Sequence, residues 1–408
     1  MHRVRGLIVC ALTGILVLAA CGGGGGSLAP GTPTGPAANV QSVVVDGGPA
    51  ALASTPDVDT LFTTVTICAP GSTTDCQTID HIQVDTGSSG LRILGSVLTL
   101  SLPVQTDSGG NAVLECVQFL DGFSWGPVAT ADVQIGGESA SSVPVQVIGN
   151  ANWQTVPSAC SSTGPSEDTV QTFGANGILG VGPFIQDCGS GCATVVSNGF
   201  YYSCVTSTSC SQTTMAVGQQ VTNPATLFAT DNNGVIIELP AIGASGAATV
   251  TGSLVFGIGT QGNNGLGSAT VYTVDPGNGS LTTSYNGSSL TNSFIDSGSN
   301  ALYFPDNSIP VCGPSTTAPG FFCPTSTLSL SASIQGVNGT SVNVNFQIAN
   351  AVNLFSTNAA ITAVTNIGAP NSDSTSFDWG LPFYFGRNIY TAFEQHNTSG
   401  GQGPYFAF

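Results

Sequence analysis

Two short motifs constrain this chain most, because they repeat one pattern in its two halves. The first is Val84–Gly90 (VDTGSSG) and the second is Ile295–Ser299 (IDSGS). In each motif an aspartate ends a short apolar run typical of a β-strand, and small residues that permit a tight turn follow it. The pair therefore predicts an internally repeated β fold that presents two carboxyl groups, one from each half, on matching strand-to-turn elements.

A second pair of segments strengthens the repeat. Asn176–Gly182 (NGILGVG) follows the first motif, and Trp379–Phe383 (WGLPF) follows the second. A single Asp-Ser/Thr-Gly is ordinary turn chemistry, but the order of an aspartate motif and then an apolar strand with glycine occurs twice here. The composition agrees with a β fold, since 54 glycines and 23 prolines separate short runs rich in Val, Ile, Thr and Phe.

Two carboxyl groups at contact distance share one proton, because like charges so close cannot both ionise. The ionised partner can take a proton from water while the protonated one polarises a carbonyl group. At this point residues 57–408 resemble the pepsin-like aspartic peptidases. The resemblance implies an all-β, bilobal fold with the active-site cleft between its lobes, an N-terminal lobe at 57–232 and a C-terminal lobe at 233–408.

The resemblance assigns the catalytic role to Asp85 and Asp296, with a nucleophilic water between them. The residues that support this dyad are Thr86, Gly87, Ser88, Ser297, Gly298 and Ser299. By resemblance, the hydroxyl that follows each aspartate bonds to the opposite loop and locks the two loops together. The glycines let backbone amides approach the carboxyl groups, and the serines after them stabilise the ionised form. Gly180 and Gly380 are expected to be structural, letting strands cross behind the loops.

The sequence departs from the family at the flap, the hairpin that closes over substrate. The family places a tyrosine there, whereas Phe119 stands at that position without a hydroxyl group. The tryptophan that supports the tyrosine is also absent, and Arg92 or Ile93 occurs instead. Trp125 is expected either to act as an aromatic lid or to pack on the hairpin. These changes argue against efficient catalysis but do not affect the prediction of the dyad.

The N-terminus resembles a bacterial lipoprotein signal. Residues 1–20 combine a short basic region with an apolar run, and Leu18–Cys21 looks like the cleavage box, with lipid attached at Cys21. Residues 21–56, rich in Gly, Pro and Ala, are expected to form a flexible tether. The prediction is an exported protein held at a periplasmic, outer-membrane or cell-surface location by this anchor, without any other contact with the membrane.

Ten cysteines remain after Cys10 and Cys21, an even number that suits disulfides in an oxidising compartment. Pairing is expected for Cys68 with Cys76, Cys312 with Cys323, and Cys116 with Cys160, while the pairing among Cys188, Cys192, Cys204 and Cys210 is open. The cysteine spacings and the two remaining histidines, His81 and His396, predict no metal site. The same histidines make a Ser-His-Asp triad a weak alternative, because no Gly-x-Ser-x-Gly element accompanies them.

The charge of the chain argues against nucleic acid as a partner. The chain has a formal net charge of −18 and 4 basic residues, two of which, Arg3 and Arg5, lie in the predicted signal. Nucleic-acid binding is disfavoured because phosphate contacts need Lys or Arg. We favour a monomeric aspartic endopeptidase that needs no cofactor and acts on a peptide or protein substrate. Two alternatives stay open: a weak or inactive relative that binds a peptide, glycan or protein in the cleft, and a structural lipoprotein whose two aspartates are relics.

Overall fold

The computed structural model describes residues 38–119, 122–196, 199–357 and 360–408. The predicted signal at 1–20 and the predicted lipid site Cys21 lie outside these residues. Strands dominate. Those of the first half are β1 (Val40–Val45), β2 (Leu61–Cys68), β3 (Cys76–Asp85), β4 (Ser89–Leu94), β5 (Ala112–Gln118), β6 (Phe123–Ile135), β7 (Glu138–Ile148), β8 (Gly177–Val181), β9 (Tyr201–Thr206) and β10 (Ser209–Gln212).

The second half continues the β pattern. Its strands are β11 (Gly234–Leu239), β12 (Val250–Phe256), β13 (Val271–Thr273), β14 (Leu281–Tyr285), β15 (Ser288–Ile295), β16 (Leu302–Phe304), β17 (Leu328–Gln335), β18 (Ser341–Ile348), β19 (Gly368–Pro370), β20 (Asp378–Trp379), β21 (Arg387–Ala392), β22 (Asn397–Thr398), β23 (Gly401–Gln402) and β24 (Tyr405–Ala407). The α-helices are short: α1 (Ser158–Ser161), α2 (Val170–Phe173), α3 (Ser190–Thr194) and α4 (Ala351–Thr357). Single 3-10 turns occur at Ala50–Leu52, Val217–Gln219, Pro224–Leu227 and Leu381–Phe383.

In the described part of the chain, one large sheet has the order β10-β9-β5-β6-β7-β4-β8-β3-β2-β1-β12-β11-β21-β24-β13. A second sheet has the order β18-β17-β14-β15-β20-β16-β19 and belongs entirely to the second half. β1 joins the halves of the large sheet, because it pairs with β2 on one side and with β12 on the other. The architecture is thus two β lobes that share a continuous sheet.

The same strand crossing occurs in both lobes. β8 lies parallel to β3 and antiparallel to β4, and β20 lies parallel to β15 and antiparallel to β16. All five residues of β8 are buried, which explains its continuous apolar sequence, since a strand covered on both faces needs no polar alternation. The repeat read from the sequence therefore corresponds to a repeated structural unit.

The described residues correct one boundary. The tether was predicted to extend to residue 56, but β1 pairs along its whole length with β12, and Val43 and Val45 are buried. Three valines in a short run are typical of a paired strand, and the Gly- and Pro-rich composition of the preceding residues hid this. The folded part therefore includes β1.

The five disulfides of the structure join Cys68 to Cys76, Cys116 to Cys160, Cys188 to Cys192, Cys204 to Cys210, and Cys312 to Cys323. The three pairings expected from the sequence are confirmed, and the open cluster of four resolves into two local pairs. Cys116 lies on β5, so its bond to Cys160 fastens the β5–β6 hairpin, the predicted flap hairpin, to helix α1.

The largest hydrophobic cluster draws on both lobes, with Val84 and Leu179 from the first and Ile295 and Trp379 from the second. Burial of these side chains from two sequence halves holds the lobes together, at about 1.5–3 kcal/mol for each large apolar side chain. The prediction of an all-β fold with two lobes is confirmed. Among the described residues, no helix is long and apolar enough to span a membrane.

Candidate active site

The first site loop begins where β3 ends. Asp85 is the last residue of β3 and is almost fully buried. The backbone N–H of Gly87 donates to Asp85 Oδ1 at 2.7 Å, and the Ser88 hydroxyl donates to Asp85 Oδ2. The tight turn after the strand therefore satisfies both carboxyl oxygens with groups from the motif itself.

The second loop repeats this arrangement atom for atom. Asp296 follows β15 directly, and the N–H of Gly298 donates to its Oδ1 at 2.7 Å. The Ser299 hydroxyl donates to its Oδ2 at 2.9 Å. The structure thus places each predicted supporting glycine and serine on the carboxyl group predicted for it.

The two aspartates face each other across the glycines. A Cβ added to Gly87 would lie 2.7 Å from Asp296 Cγ, and one added to Gly298 would lie 2.5 Å from Asp85 Oδ1. Burial raises the pKa of Asp85 well above its usual range, and the charge of Asp296 and a hydrogen bond with it raise that pKa further. These are the properties of a carboxyl pair that shares a proton.

Two side chains lock the loops to each other. The N–H of Ser297 donates to Thr86 Oγ1 at 3.0 Å, and the N–H of Thr86 donates to Ser297 Oγ at 3.1 Å. Thr86 Oγ1 in turn donates to the carbonyl of Ile295, and Ser297 Oγ donates to that of Val84. Four hydrogen bonds inside a dry interface therefore fix the separation of the two carboxyl groups.

Sequence reasoning missed Tyr384, which completes this lock. Its buried hydroxyl lies 2.7 Å from Thr86 Oγ1, although 298 positions separate the two residues. Since the Thr86 hydroxyl gives its proton to Ile295, the Tyr384 hydroxyl is the donor to Thr86. No sequence pattern marks this tyrosine, because its role depends on a contact between the lobes.

Asp378 is a second residue that sequence reasoning missed. It lies on β20, between β15 and β16, and is 1% exposed. An acidic residue in an otherwise apolar strand next to Gly380 was a signal available in the sequence. Burial raises the pKa of Asp378 well above its usual range, and the charges of Asp296 and Asp85 raise this pKa further.

Gly180 and Gly380, the crossing glycines, lie directly behind the two site loops, as predicted. A Cβ on Gly180 would lie 2.7 Å from the backbone of Ser89, and one on Gly380 would lie 2.6 Å from the carbonyl oxygen of Ser299. Both strands pass so close behind the site loops that a side chain would collide with the backbone.

Both aromatic residues predicted for the flap pack against side chains of their own lobe. Trp125 is 3% exposed, its indole N–H donates to the Trp153 carbonyl, and its ring packs edge-on against Tyr202. The lid alternative for Trp125 is therefore wrong, because this ring belongs to the hairpin core. Phe119 packs edge-on against Phe173 at 6.0 Å, so its ring is half-buried against the lobe.

Arg92 forms a buried charge cluster behind the first loop. Its guanidinium contacts Glu115 Oε1 at 2.9 Å and Asp187 Oδ2 at 2.8 Å, and it also donates to the carbonyl of Ser89. The Tyr201 hydroxyl donates to Asp187. The cluster joins the first loop to β5.

A cavity of about 360 Å³ opens beside the first loop. Thr86 to Ser89 form one wall, and the rings of Phe184, Phe294 and Phe406 contribute apolar surface. The polar residues of the remaining lining are Gln186, Asp187, Asn278, Ser280 and Asn292. A cavity that combines apolar rings with several polar groups suits a side chain of a bound ligand.

The two histidines have other roles. His81 contacts Asp46 and Asp80 at 3.4 and 3.3 Å, and His396 Nδ1 bonds with the Glu394 carbonyl. Within the described ranges, no group of three or more His, Cys, Asp and Glu side chains could hold a metal ion. The geometry gives the Ser-His-Asp alternative no support.

The fold and the site define a bilobal β protein with a paired-aspartate centre. The chain belongs to the family described as "Protein of unknown function (DUF3443)", whose model matches residues 35–408. A search of curated proteins finds no match. Among solved structures, the chain is similar to an aspartic proteinase from Irpex lacteus, with 14% identity, 90% of this chain and 96% of that chain covered, and a TM-score of 0.49.

Proposed function

We propose that this protein is an aspartic endopeptidase that hydrolyses peptide bonds of an extended substrate bound between the lobes. One observation carries the proposal: two facing carboxyl groups, Asp85 and Asp296, each bonded to a glycine N–H and a serine hydroxyl. Stability alone does not explain this pair of facing carboxyl groups, because burying two like charges costs free energy. The fold by itself does not assign a function, so the proposal rests on the site.

The geometry suggests a division of roles. Asp85 holds the shared proton, because burial and the neighbouring Asp296 raise its pKa. Asp296 then takes a proton from the bound water as the water oxygen attacks the carbonyl carbon, and Asp85 gives its proton to the carbonyl oxygen. The tetrahedral species collapses when Asp296 gives its proton to the amide nitrogen and Asp85 takes the proton of one hydroxyl group. The C–N bond then breaks, the amine leaves, and the dyad returns to its starting protonation state. No cofactor takes part in this sequence of steps.

The direction of the Asp85 pKa predicts the pH dependence. The productive form requires a protonated Asp85, so activity is expected to be lost as pH rises through the raised pKa of this group. The phenylalanine rings of the cavity, Phe184, Phe294 and Phe406, favour a hydrophobic side chain beside the cleaved bond.

The test uses the full chain, produced in an oxidising compartment so that the five disulfides form. A denatured protein mixture is incubated with it from acid to neutral pH, and the products are sequenced by mass spectrometry. Asp85→Asn and Asp296→Asn are each expected to abolish cleavage. Asp75→Asn is the matched control, because Asp75 is an exposed aspartate just before β3 and should leave cleavage unchanged.

The outcomes separate the hypotheses. Cleavage that is lost in both dyad variants and kept in the control supports the peptidase. Absence of cleavage at every pH from a folded, disulfide-bonded sample contradicts it, as does cleavage that survives both dyad substitutions.

The flap favours a second candidate, a protein that binds peptide without efficient cleavage. β9 pairs with β5 of the flap hairpin, the Cys116–Cys160 disulfide fastens it, and Phe123 pairs with Pro165 on its other side. A hairpin held at three places resists the closing motion by which lids commit a substrate. Binding of a peptide library without cleavage, measured by affinity selection, would favour this candidate.

We further infer that the protein is exported and anchored by lipid at Cys21. The five disulfides support export, since such bonds persist in oxidising compartments. The anchor rests on the sequence motif at 18–21. Mass spectrometry of the mature N-terminus tests it: a diacylated Cys21 is expected, and Cys21→Ser should release the protein from membranes.

A further inference from the structure

Gln83 is a buried amide side chain that reaches from the first lobe to the site loop of the second. It lies on β3, two residues before Asp85, and is 2% exposed. Because side chains alternate along a strand, Gln83 and Asp85 point to the same face of β3. The Gln83 side-chain N–H donates to the backbone carbonyl of Gly298 at 2.8 Å, across 215 positions of sequence. A carbonyl oxygen can only accept, so the amide nitrogen of Gln83 must face Gly298.

Gly298 is the residue of the second loop that lies between the two carboxyl groups. Its N–H donates to Asp296 Oδ1 at 2.7 Å, and a Cβ added to it would lie 2.5 Å from Asp85 Oδ1. Glycine has more backbone freedom than any other residue, so its peptide groups keep one orientation only where hydrogen bonds hold them. Gln83 supplies such a bond on the carbonyl side of Gly298, while Asp296 accepts from the N–H on the other side.

The internal repeat shows that the fold does not require an amide at this position. β3 and β15 are the equivalent strands, and Phe294 stands two residues before Asp296, as Gln83 stands two residues before Asp85. The Phe294 ring lines the cavity beside the first loop, and its side chain has no hydrogen-bond donor. The side-chain bond to the opposite loop is therefore made from the first lobe and has no counterpart from Phe294.

We propose that Gln83 is a positioning residue of the site: its amide holds the Gly298 carbonyl and so keeps the Gly298 N–H directed at Asp296. Gln83 acts through Gly298. The Gly298 N–H fixes one oxygen of Asp296, the group that takes the proton of water in the proposed mechanism, and catalysis depends on such orientation. The kinetic consequence of this inference rests on the peptidase function proposed above, whereas the effect of Gln83 on Gly298 does not.

A purely structural role for Gln83 makes a different prediction. Loss of its hydrogen bond would then lower the stability of the whole fold without acting on one particular loop. The repeat supplies the comparison, because the Gly87 N–H bonds to Asp85 Oδ1 at 2.7 Å just as the Gly298 N–H bonds to Asp296 Oδ1. A structural role would affect these two amides alike, whereas a positioning role affects Gly298 alone.

The first test is hydrogen exchange of these two glycine amides, followed by NMR at acid pH in Gln83→Met. Methionine has a similar length and no donor. The Gly298 amide should exchange about three- to tenfold faster than in the wild type, because one hydrogen bond that holds its loop is lost. The Gly87 amide should stay within about twofold of its wild-type rate, since its own loop is unchanged. An equal change at both amides, or no change at Gly298, overturns the proposal.

The kinetic test compares Gln83→Met with Gln77→Met. Gln77 is the matched control, because it lies at the opposite end of β3 and its amide donates to the Val97 carbonyl at 2.7 Å. In Gln83→Met, kcat should fall by about three- to tenfold while KM stays within about twofold, because a buried side chain does not contact bound peptide. Gln77→Met should leave both constants unchanged. An unchanged kcat in Gln83→Met, or equal losses in the two variants, overturns the proposal.

Gln83→Glu provides the test if the methionine variant does not fold. A buried carboxyl group is protonated at acid pH, and its O–H can donate to the Gly298 carbonyl as the amide does. Exchange at Gly298 should then stay within about twofold of the wild type, and faster exchange there overturns the proposal. The exchange measurement does not depend on activity. If the wild type cleaves nothing while Gly298 alone responds to Gln83→Met, the peptidase function fails and the positioning role of Gln83 stands.

Discussion

Replacing Thr86 with valine removes the hydroxyl that locks the two site loops and keeps the shape of the side chain. This hydroxyl donates to the Ile295 carbonyl and accepts from the Ser297 N–H and the Tyr384 O–H. All three partners lie in residues that are fully buried. In the variant, three polar groups lose their partner where water cannot replace it.

The expected loss follows from these three groups. A buried polar group left unsatisfied costs about 1–3 kcal/mol, so the three groups together predict that Thr86→Val lowers the free energy of unfolding by about 3–9 kcal/mol. This is a large share of the 5–15 kcal/mol typical of a folded domain. Thr86→Ser is the matched control, because it keeps the hydroxyl and loses one methyl group, at about 1 kcal/mol.

The assay is urea-induced unfolding with intact disulfides, followed by tryptophan fluorescence. Ser297→Ala serves as an intermediate reference for the loss of stability, because the Ser297 hydroxyl has two partners, the Thr86 N–H and the Val84 carbonyl. The order of stability should be Thr86→Ser, then Ser297→Ala, then Thr86→Val. A valine variant within about 1 kcal/mol of the serine variant would refute the reasoning, since the lock would then contribute little.

Two further predictions concern charged groups away from the dyad. Arg92→Met leaves Glu115 and Asp187 buried without their cation. It should lower the free energy of unfolding by about 3–5 kcal/mol. A melting temperature close to that of the wild type would contradict a stabilising role for the buried ion pair. A hydrogen bond from His81 to Asp46 raises the pKa of His81. The stability that wild type gains over His81→Asn should therefore be present below about pH 6.5 and disappear as pH rises through the raised pKa. It should stay below about 1 kcal/mol because the pair is partly exposed, and a gain that grows above neutral pH would contradict this sign.

Much of the site could be predicted from local sequence motifs. Asp85 and Asp296 with their glycines and serines could be placed because each carboxyl group is satisfied within three residues of its own motif. A disulfide such as Cys68–Cys76 was predictable for the same reason, since a hairpin brings near neighbours together. Interactions over such short separations depend on turn chemistry, which the residue types specify.

The residues that the sequence did not reveal are those whose partners are distant. Trp125 was ambiguous because its burial depends on Trp153 and Tyr202, which reach it from other elements. The strand β1 was hidden because its partner β12 lies about two hundred residues away, with Val45 opposite Val250. Its valines favour a strand, but pairing decides whether one forms.

Residue types and their local order specify the two aspartate loops and the way in which each loop holds its own carboxyl group. The contacts around these loops follow only from the folded chain: Tyr384 on the lock, Asp378 buried on β20, and Arg92 between Glu115 and Asp187. A buried polar group must find its partner in space. When that partner comes from another strand or the other lobe, no local pattern specifies it.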